Sequence, residues 1–479
     1  MDLDPDYISE NVDEIGIKEA KAILIEWINN SNDRQLRKKA LRIYGSIDEG
    51  RDFKFFEQLY LSDEDPYIRI ETGQILKENY LYNKKFTALL DFTLNNEIFI
   101  KQKFQALDIL NLVNSKKSRK IIKEFIKKII KQNFKEDYEN NLKQFLIFED
   151  NKAIPESILE IYFNLILYVH YTQYCRYNVI LRNGLITLLN CEGAHLKEIS
   201  DIPGLDKLVN LEYIYLQRNE IQKINNLENL KDLKVLNLEN NQIEKIENLE
   251  CLTNLVELNL SNNKIKKIEN LNLKNLMKFA LDRNYLTNLN NLEELSNLES
   301  LSLSYNEISK IEDLSLLTKL KNLTLSQNKI ERITGLHYLE NLITLHLNDN
   351  SIVEIDGLDG LINLKVLNLT NNRIEKIKNL DYLENLKKLE LSNNNIQKIE
   401  GLDNLKKLQE LFLDNNQIKS LKGIEGLTSL IILFLDSNEI SEFDFKDIES
   451  LKCLNFIFLN NNPLDAKSRA YYERLSRLP

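Results

Sequence analysis

The chain has 479 residues, 43% hydrophobic and 28% charged, so it carries enough apolar material for more than one core. A formal charge of -10 opposes a general nucleic-acid binder, because affinity for a phosphate backbone needs an excess of Lys and Arg. Cys175, Cys191, Cys251 and Cys453 show no CxxC spacing, which argues against a disulfide framework or a zinc site and fits a reducing compartment.

The acidic start, MDLDPDYISENVDEI, lacks a secretory layout, and no apolar run approaches the ~20 residues that span a bilayer. A cytoplasmic location is expected. Residues 1–180 are read as an all-α repeat domain. Three stretches align at a step of 32 residues, beginning at Asp33, Asp65 and Glu97, each with an apolar fourth and a basic fifth residue. Apolar positions such as Ile68, Ile75 and Leu76 follow helical spacing, and Asp65-Pro66 is a helix-start signal. These segments resemble HEAT-type repeats.

Residues 115–135 form a strongly basic amphipathic helix, with Ile122, Phe125, Ile126, Ile129 and Ile130 on its apolar side. Such a helix can contact an anionic membrane surface; packing inside the domain accounts for the same apolar positions. The acidic segment KEDYENN and the stretch FEDNKAIPE are read as separators before one more helix, from Glu156 to about Tyr174.

Residues 181–479 repeat one phrase, Leu-x-x-Leu-x-Leu-x-x-Asn-x-Ile, which is first clean in LEYIYLQRNEI from Leu211. Its asparagine recurs at Asn219, Asn241, Asn263, Asn284, Asn306, Asn328, Asn350, Asn372, Asn394, Asn416, Asn438 and Asn462. The step is 22 residues, apart from one of 21 and a last one of 24. A fixed period of this size means a solenoid. The phrase resembles the leucine-rich repeat superfamily, in its 22-residue class with the phosphatase-1 regulatory subunit and the internalins. The resemblance implies an α/β solenoid, a right-handed superhelix with a parallel sheet on its concave face, preceded here by the helical domain.

Within a unit, Leu236 and Leu238 point inward while Val235, Asn237 and Glu239 point outward. Each anchor asparagine is expected to be structural, its buried amide bonding backbone groups of its own and the adjacent turn. Seven residues past the anchors stand Asn226, Asn248, Asn270, Asn291, Asp313, Gly335, Gly357, Asn379, Gly401 and Gly423, residues that tolerate positive φ, so a left-handed turn is expected there. Phe445 breaks that rule, and a local irregularity is expected around it. A degenerate repeat with its anchor position at Ala194 brings the total to about 13, and residues 461–479 resemble the C-terminal cap of the class, with Tyr471, Tyr472 and Leu475 on a short helix.

No nucleotide-binding, metalloprotease or serine-hydrolase motif is present, so no cofactor and no enzymatic activity are expected. His346 points outward without a nucleophile in phase and reads as a surface contact. The outward strand positions are small and polar through the middle of the array, then become Phe412, Ile432, Phe434, Phe456 and Phe458, edged by Asp414 and Asp436. Exposed aromatics with an acidic rim have the character of a protein-binding hot spot. Tyr213 and Tyr215 form a smaller pair at the other end, suited to a partner or to an intramolecular contact. The expected role is a non-enzymatic protein-interaction scaffold or adaptor. A regulatory subunit of a phosphatase or GTPase, or an internalin-like surface adhesin, are the alternatives that the resemblance implies.

Overall fold

The computed structural model describes residues 4–147, 152–311, 314–443 and 445–475. The chain divides into two compact units, residues 1–187 with 203–208, and residues 188–202 with 209–479.

The first unit is built from helix pairs. Ile17–Asn30 packs on Arg34–Ser46, Phe53–Ser62 on Pro66–Tyr80, and Lys84–Asn96 on Ile100–Val113. The second members of the pairs also pack on one another. Asp33 and Asp65 cap their helices by accepting backbone N–H groups of Gln35 and Tyr67. Glu97, the third acid in register, instead accepts from Ile98 and Phe99, and its helix starts two residues later in the register, at Ile100. The basic residue four positions on has a clear task in two units: Arg37 reaches Asp63 at 2.5 Å, and Arg69 reaches Glu97 at 3.4 Å, tying each unit to the next.

A buried polar knot lies beside these pairs. Asp48 is fully buried and accepts from Tyr80 Oη at 2.5 Å, Lys21 Nζ at 3.2 Å and the Asp52 N–H at 3.0 Å. Asp52 in turn accepts from Lys21 Nζ at 2.7 Å and Tyr44 Oη at 2.8 Å. The bond from Lys21 holds the Asp52 carboxyl below the usual carboxylate range, against the opposing effect of its partial burial.

The basic helix spans Lys116–Asn133 and opens on a capping box between Ser115 and Ser118. Its apolar side, Ile122, Phe125, Ile126, Ile129 and Ile130, is buried within the unit, so no apolar stripe is left for insertion into a bilayer. No helix among the described residues is long and apolar enough to cross a membrane. KEDYENN is not a plain separator: Glu136–Lys143 is helical, because Leu142 is buried and Tyr138 Oη donates to the Leu181 carbonyl. The beginning of FEDNKAIPE, residues 148–151, lies outside the described residues. The following helix is α-helical over Glu156–Val169 and continues as a π-helical turn, His170–Cys175, closed by Arg176 at φ 59°.

The second unit is a parallel solenoid. Twelve three-residue strands, from Tyr213–Tyr215 to Phe456–Phe458, pair in order without crossover. Each residue pairs with its equivalent one repeat on, as Val235 does with Glu257. The 21-residue step keeps that register, with Glu257 opposite Lys278. In the repeat from Leu233, the residues Leu233, Leu236, Leu238, Ile243, Ile246, Leu249 and Leu252 are all fully buried. Each such side chain contributes about 1.5–3 kcal/mol by leaving water.

Every anchor asparagine is bonded as its position requires. Asn241 Oδ1 accepts the Ile221 N–H of the preceding turn at 3.0 Å, while its Nδ2 donates to the carbonyls of Leu216, Leu238 and Glu239. The same four bonds recur at all twelve anchors, to Asn462. At Ala194, which has no amide, the preceding Gly193 still has φ 64°.

The left-handed position seven residues past the anchor is present at Asn226, Asn248, Asn270, Asn291, Asn379, Gly335, Gly357, Gly401 and Gly423. Asp313 lies outside the described residues. The asparagines there do more than tolerate positive φ. Asn248 Nδ2 donates to the Ile224 carbonyl at 2.6 Å and Asn379 Nδ2 to that of Ile355 at 2.9 Å. In the glycine turns a side chain would crowd that carbonyl: a Cβ on Gly357 would stand 2.6 Å from the Ile333 oxygen. Near Phe445 the chain forms a 3₁₀ turn, Phe445–Asp447, in the longer last repeat. The cap helix, Ala466–Leu475, closes the end of the core: Tyr472 Oη accepts the Leu459 N–H, Ser468 Oγ that of Phe443, and Tyr471 packs on Phe443. The last four residues of the expected 461–479 cap lie outside the described residues.

Candidate functional site

The parallel register turns the outward residues into columns. One column runs Tyr215, Asn237, Asn259, Ala280, Ser302, Thr324, His346, Asn368, Glu390, Phe412, Phe434, Phe458. Three phenylalanines are therefore neighbours on adjacent strands. Phe412 and Phe434 have ring centroids 4.8 Å apart with planes 12° from parallel, and Phe434 and Phe458 are 4.2 Å and 9°. Ile432 and Phe456 belong to the parallel column two residues upstream, opposite Glu410. Phe456 is 56% exposed, while Phe412, Ile432, Phe434 and Phe458 are half-buried by their neighbours.

Charge surrounds this ladder unevenly. Lys388 Nζ sits 5.0 Å from the Phe412 ring centroid and pairs with Glu390 at 2.6 Å and Glu410 at 3.7 Å. The bond to Glu390 holds its ammonium above the usual lysine value. Asp414 and Asp436 do edge the aromatics, and each also serves the solenoid. Asp414 accepts from Ser392 Oγ at 2.5 Å, and Asp436 accepts the Asn460 N–H at 2.6 Å. Their remaining acceptor capacity makes that rim acidic.

His346 lies on the same face, three strands before Phe412 or roughly 14 Å away at ~4.8 Å per strand. Burial pushes its imidazole below the ordinary histidine value, so it is neutral at pH 7 and acts as a donor or acceptor rather than a cation. Tyr213 and Tyr215 are half-buried on the strand Tyr213–Tyr215, nine strands or roughly 43 Å from Phe412, so they form a separate patch.

Between the two ends the face is a shallow polar concavity lined by Asn259, Ser302, Thr324 and His346. Its groups largely bond one another: Asp282 accepts from Ser302 Oγ and the Ser304 N–H, and Ser302 meets Thr324 at 2.7 Å. Two residues here escape a reading of alternation. Arg283 lies 4.0 Å over the ring of Tyr305, which is 46% exposed. Both occupy the position just before an anchor, where the backbone is left-handed in every regular repeat and the side chain swings onto the sheet face. A bulky residue where half of the repeats carry Asn is the signal that marks them.

Among the described residues no group of His, Cys, Asp and Glu is placed to hold a metal ion. Segments 209–251, 340–382 and 384–426 match the family model described as Leucine Rich repeats (2 copies), and 254–276 match that for a single Leucine Rich Repeat. None of the curated proteins compared matches the sequence. Among solved structures, an internalin of Listeria monocytogenes is 28% identical with a TM-score of 0.55, over 73% of this chain and 96% of that one. A leucine-rich repeat protein of Leptospira interrogans is 28% identical with a TM-score of 0.50, over 59% and 80%. The leucine-rich repeat domain of APL1B, at 24% identity and a TM-score of 0.51 over 60% and 87%, shares the fold. Proteins built this way generally serve as protein-interaction modules. With twelve asparagine-anchored turns, matching segments along the array and these neighbours, the chain belongs to the leucine-rich repeat superfamily.

Proposed function

We propose that the protein is an intracellular, non-enzymatic scaffold or adaptor that binds a protein partner on the strand face, with Phe412, Phe434 and Phe458 as the anchor. The stacked ladder carries this reading. Inward positions are filled separately by Leu411, Leu433 and Ile457, so the solenoid core has no need of aromatics outside it. Stacked rings beside Glu410, Asp414 and Asp436 suit a partner segment with an apolar or aromatic side chain next to a basic one. The test is affinity purification with wild type and with Phe412, Phe434 and Phe458 all changed to Ala. Loss of specific partners from a folded variant supports the reading, and an unchanged partner set sinks it.

The likeness to an internalin over 96% of that chain favours a second reading, a cell-surface adhesin. Protease treatment of intact cells separates the two: a surface protein is cleaved, an intracellular scaffold is protected.

A further inference from the structure

The helical unit contains a cleft of about 380 Å³ that the strand face does not involve. Its apolar wall comes from Phe125 and Ile129 of the helix Lys116–Asn133, and from Ile166 and Val169 of the helix Glu156–Val169. Its polar lining includes the cations Lys103 and Lys128, the imidazole of His170 and the amide of Gln173. His170, Gln173 and Tyr174 all come from the π-helical turn, a local distortion that often accompanies a functional site. Gln173 is held in place by its bond to Asn133 Oδ1 at 2.6 Å.

Lys103 is the informative residue. It is half-buried, with its ammonium 5.9 Å from the Phe125 ring centroid, and among the described residues it has no carboxylate within ion-pair distance. The one acid in the lining, Glu97, is committed to the N–H groups of Ile98 and Phe99 and to Arg69. Burial pushes the Lys103 ammonium below its usual value, Glu97 opposes this, and the charge of Lys128 adds to it. His170 is lowered in the same way, by burial and by Lys103. Lys103 loses hydration in the half-enclosed cleft with no ion-paired carboxylate among the described residues to compensate, and Lys128, exposed and bonded to Asn95 Oδ1 at 3.4 Å, adds like charge beside it; a bound anion offsets both. The apolar wall gives the rest of the ligand a surface to cover.

We propose that this cleft binds a small organic oxyanion, a phosphate or carboxylate carried on an aromatic or branched aliphatic body, with Lys103 and Lys128 contacting the charge and Phe125 and Ile129 the body. The test uses the full chain with phenyl phosphate and phenylacetate as probes, followed by calorimetry and by the ring resonances of His170. Saturable binding of either probe that shifts His170, and that weakens about tenfold or more in Lys103→Met and Lys128→Gln, is the expected result, since a lost charge-assisted bond is worth about 1.5–3 kcal/mol. Lys128 is exposed, so its variant decides the matter if Lys103→Met fails to fold. No saturable binding of either probe, binding unchanged in the variants, or equal binding of neutral benzyl alcohol overturns the proposal.

Discussion

Phe434 stacks on Phe458 with ring centroids 4.2 Å apart and planes 9° from parallel, and it stacks on Phe412 through its other face. Aromatic pairs contribute about 0.5–1.5 kcal/mol beyond the area they bury. Phe434→Ala is therefore expected to lower the unfolding free energy by about 1–3 kcal/mol, from two lost pairs, with the repeat fold kept. Urea titration followed by circular dichroism measures this. A loss near zero would mean that the rings stack without stabilising the array.

Asn263→Ala should cost more than an ordinary surface change. It removes the acceptor for the Ile243 N–H and the donor to the carbonyls of Leu238, Leu260 and Ser261, all in the interior of the array. With about 1–3 kcal/mol for each buried group left unpaired, a loss of at least about 2 kcal/mol is expected. Hydrogen exchange should localise the loosening to the turns on both sides of Asn263, whereas uniform loss of protection across the chain would contradict this local account.

The two residue types at the second left-handed position should both lose stability on exchange, for different reasons. Gly357→Ala places a Cβ 2.6 Å from the Ile333 carbonyl at φ 65°, and is expected to destabilise by about 1–2 kcal/mol from the conformation alone, with the contact adding to it. Asn379→Gly loses the bond to the Ile355 carbonyl and a longer, exposed one to Asp356 Oδ1, and should cost about 0.5–1.5 kcal/mol. Thermal melts of both variants compare them. A tolerated Gly357→Ala would show that the turn opens freely.

Acid should weaken the helical unit through Asp52. Its folded carboxyl titrates below the unfolded value of about 3.9, so its contribution is complete above that pH and is lost as pH falls through the lower, folded value. Urea midpoints of wild type and Asp52→Asn, measured from pH 6 downward, should converge below about pH 4. A constant gap would show that Asp52 acts through something other than its charge.

Much of the repeat unit was legible because each turn answers to the same local demands. Leucine spacing marks what is buried, the anchor asparagine marks where backbone groups would be orphaned, and Gly or Asn marks positive φ. The second function of Asn248 and Asn379, donating to the preceding turn, was hidden because the same letters satisfy both requirements. The alternation of Phe412 and Phe434 revealed an outward aromatic face, but their stacking needed the cross-strand register. Arg283 and Tyr305 were missed because their direction is set by a left-handed backbone, not by strand alternation. In the helical unit, KEDYENN looked like a spacer because its helix is secured by contacts distant in sequence, through Tyr138 and Leu142. The cleft around Lys103 was invisible for the same reason: its lining spans Asn95 to Tyr174.

The four bonds of each anchor asparagine reach back only as far as the turn before it. At the anchors every junction along the array is thus made by the same four bonds, and removing or duplicating one whole 22-residue unit re-forms them. The interval between Tyr215 and Phe412 is in effect a vernier, adjustable in increments of ~4.8 Å while the patches at either end keep their own chemistry.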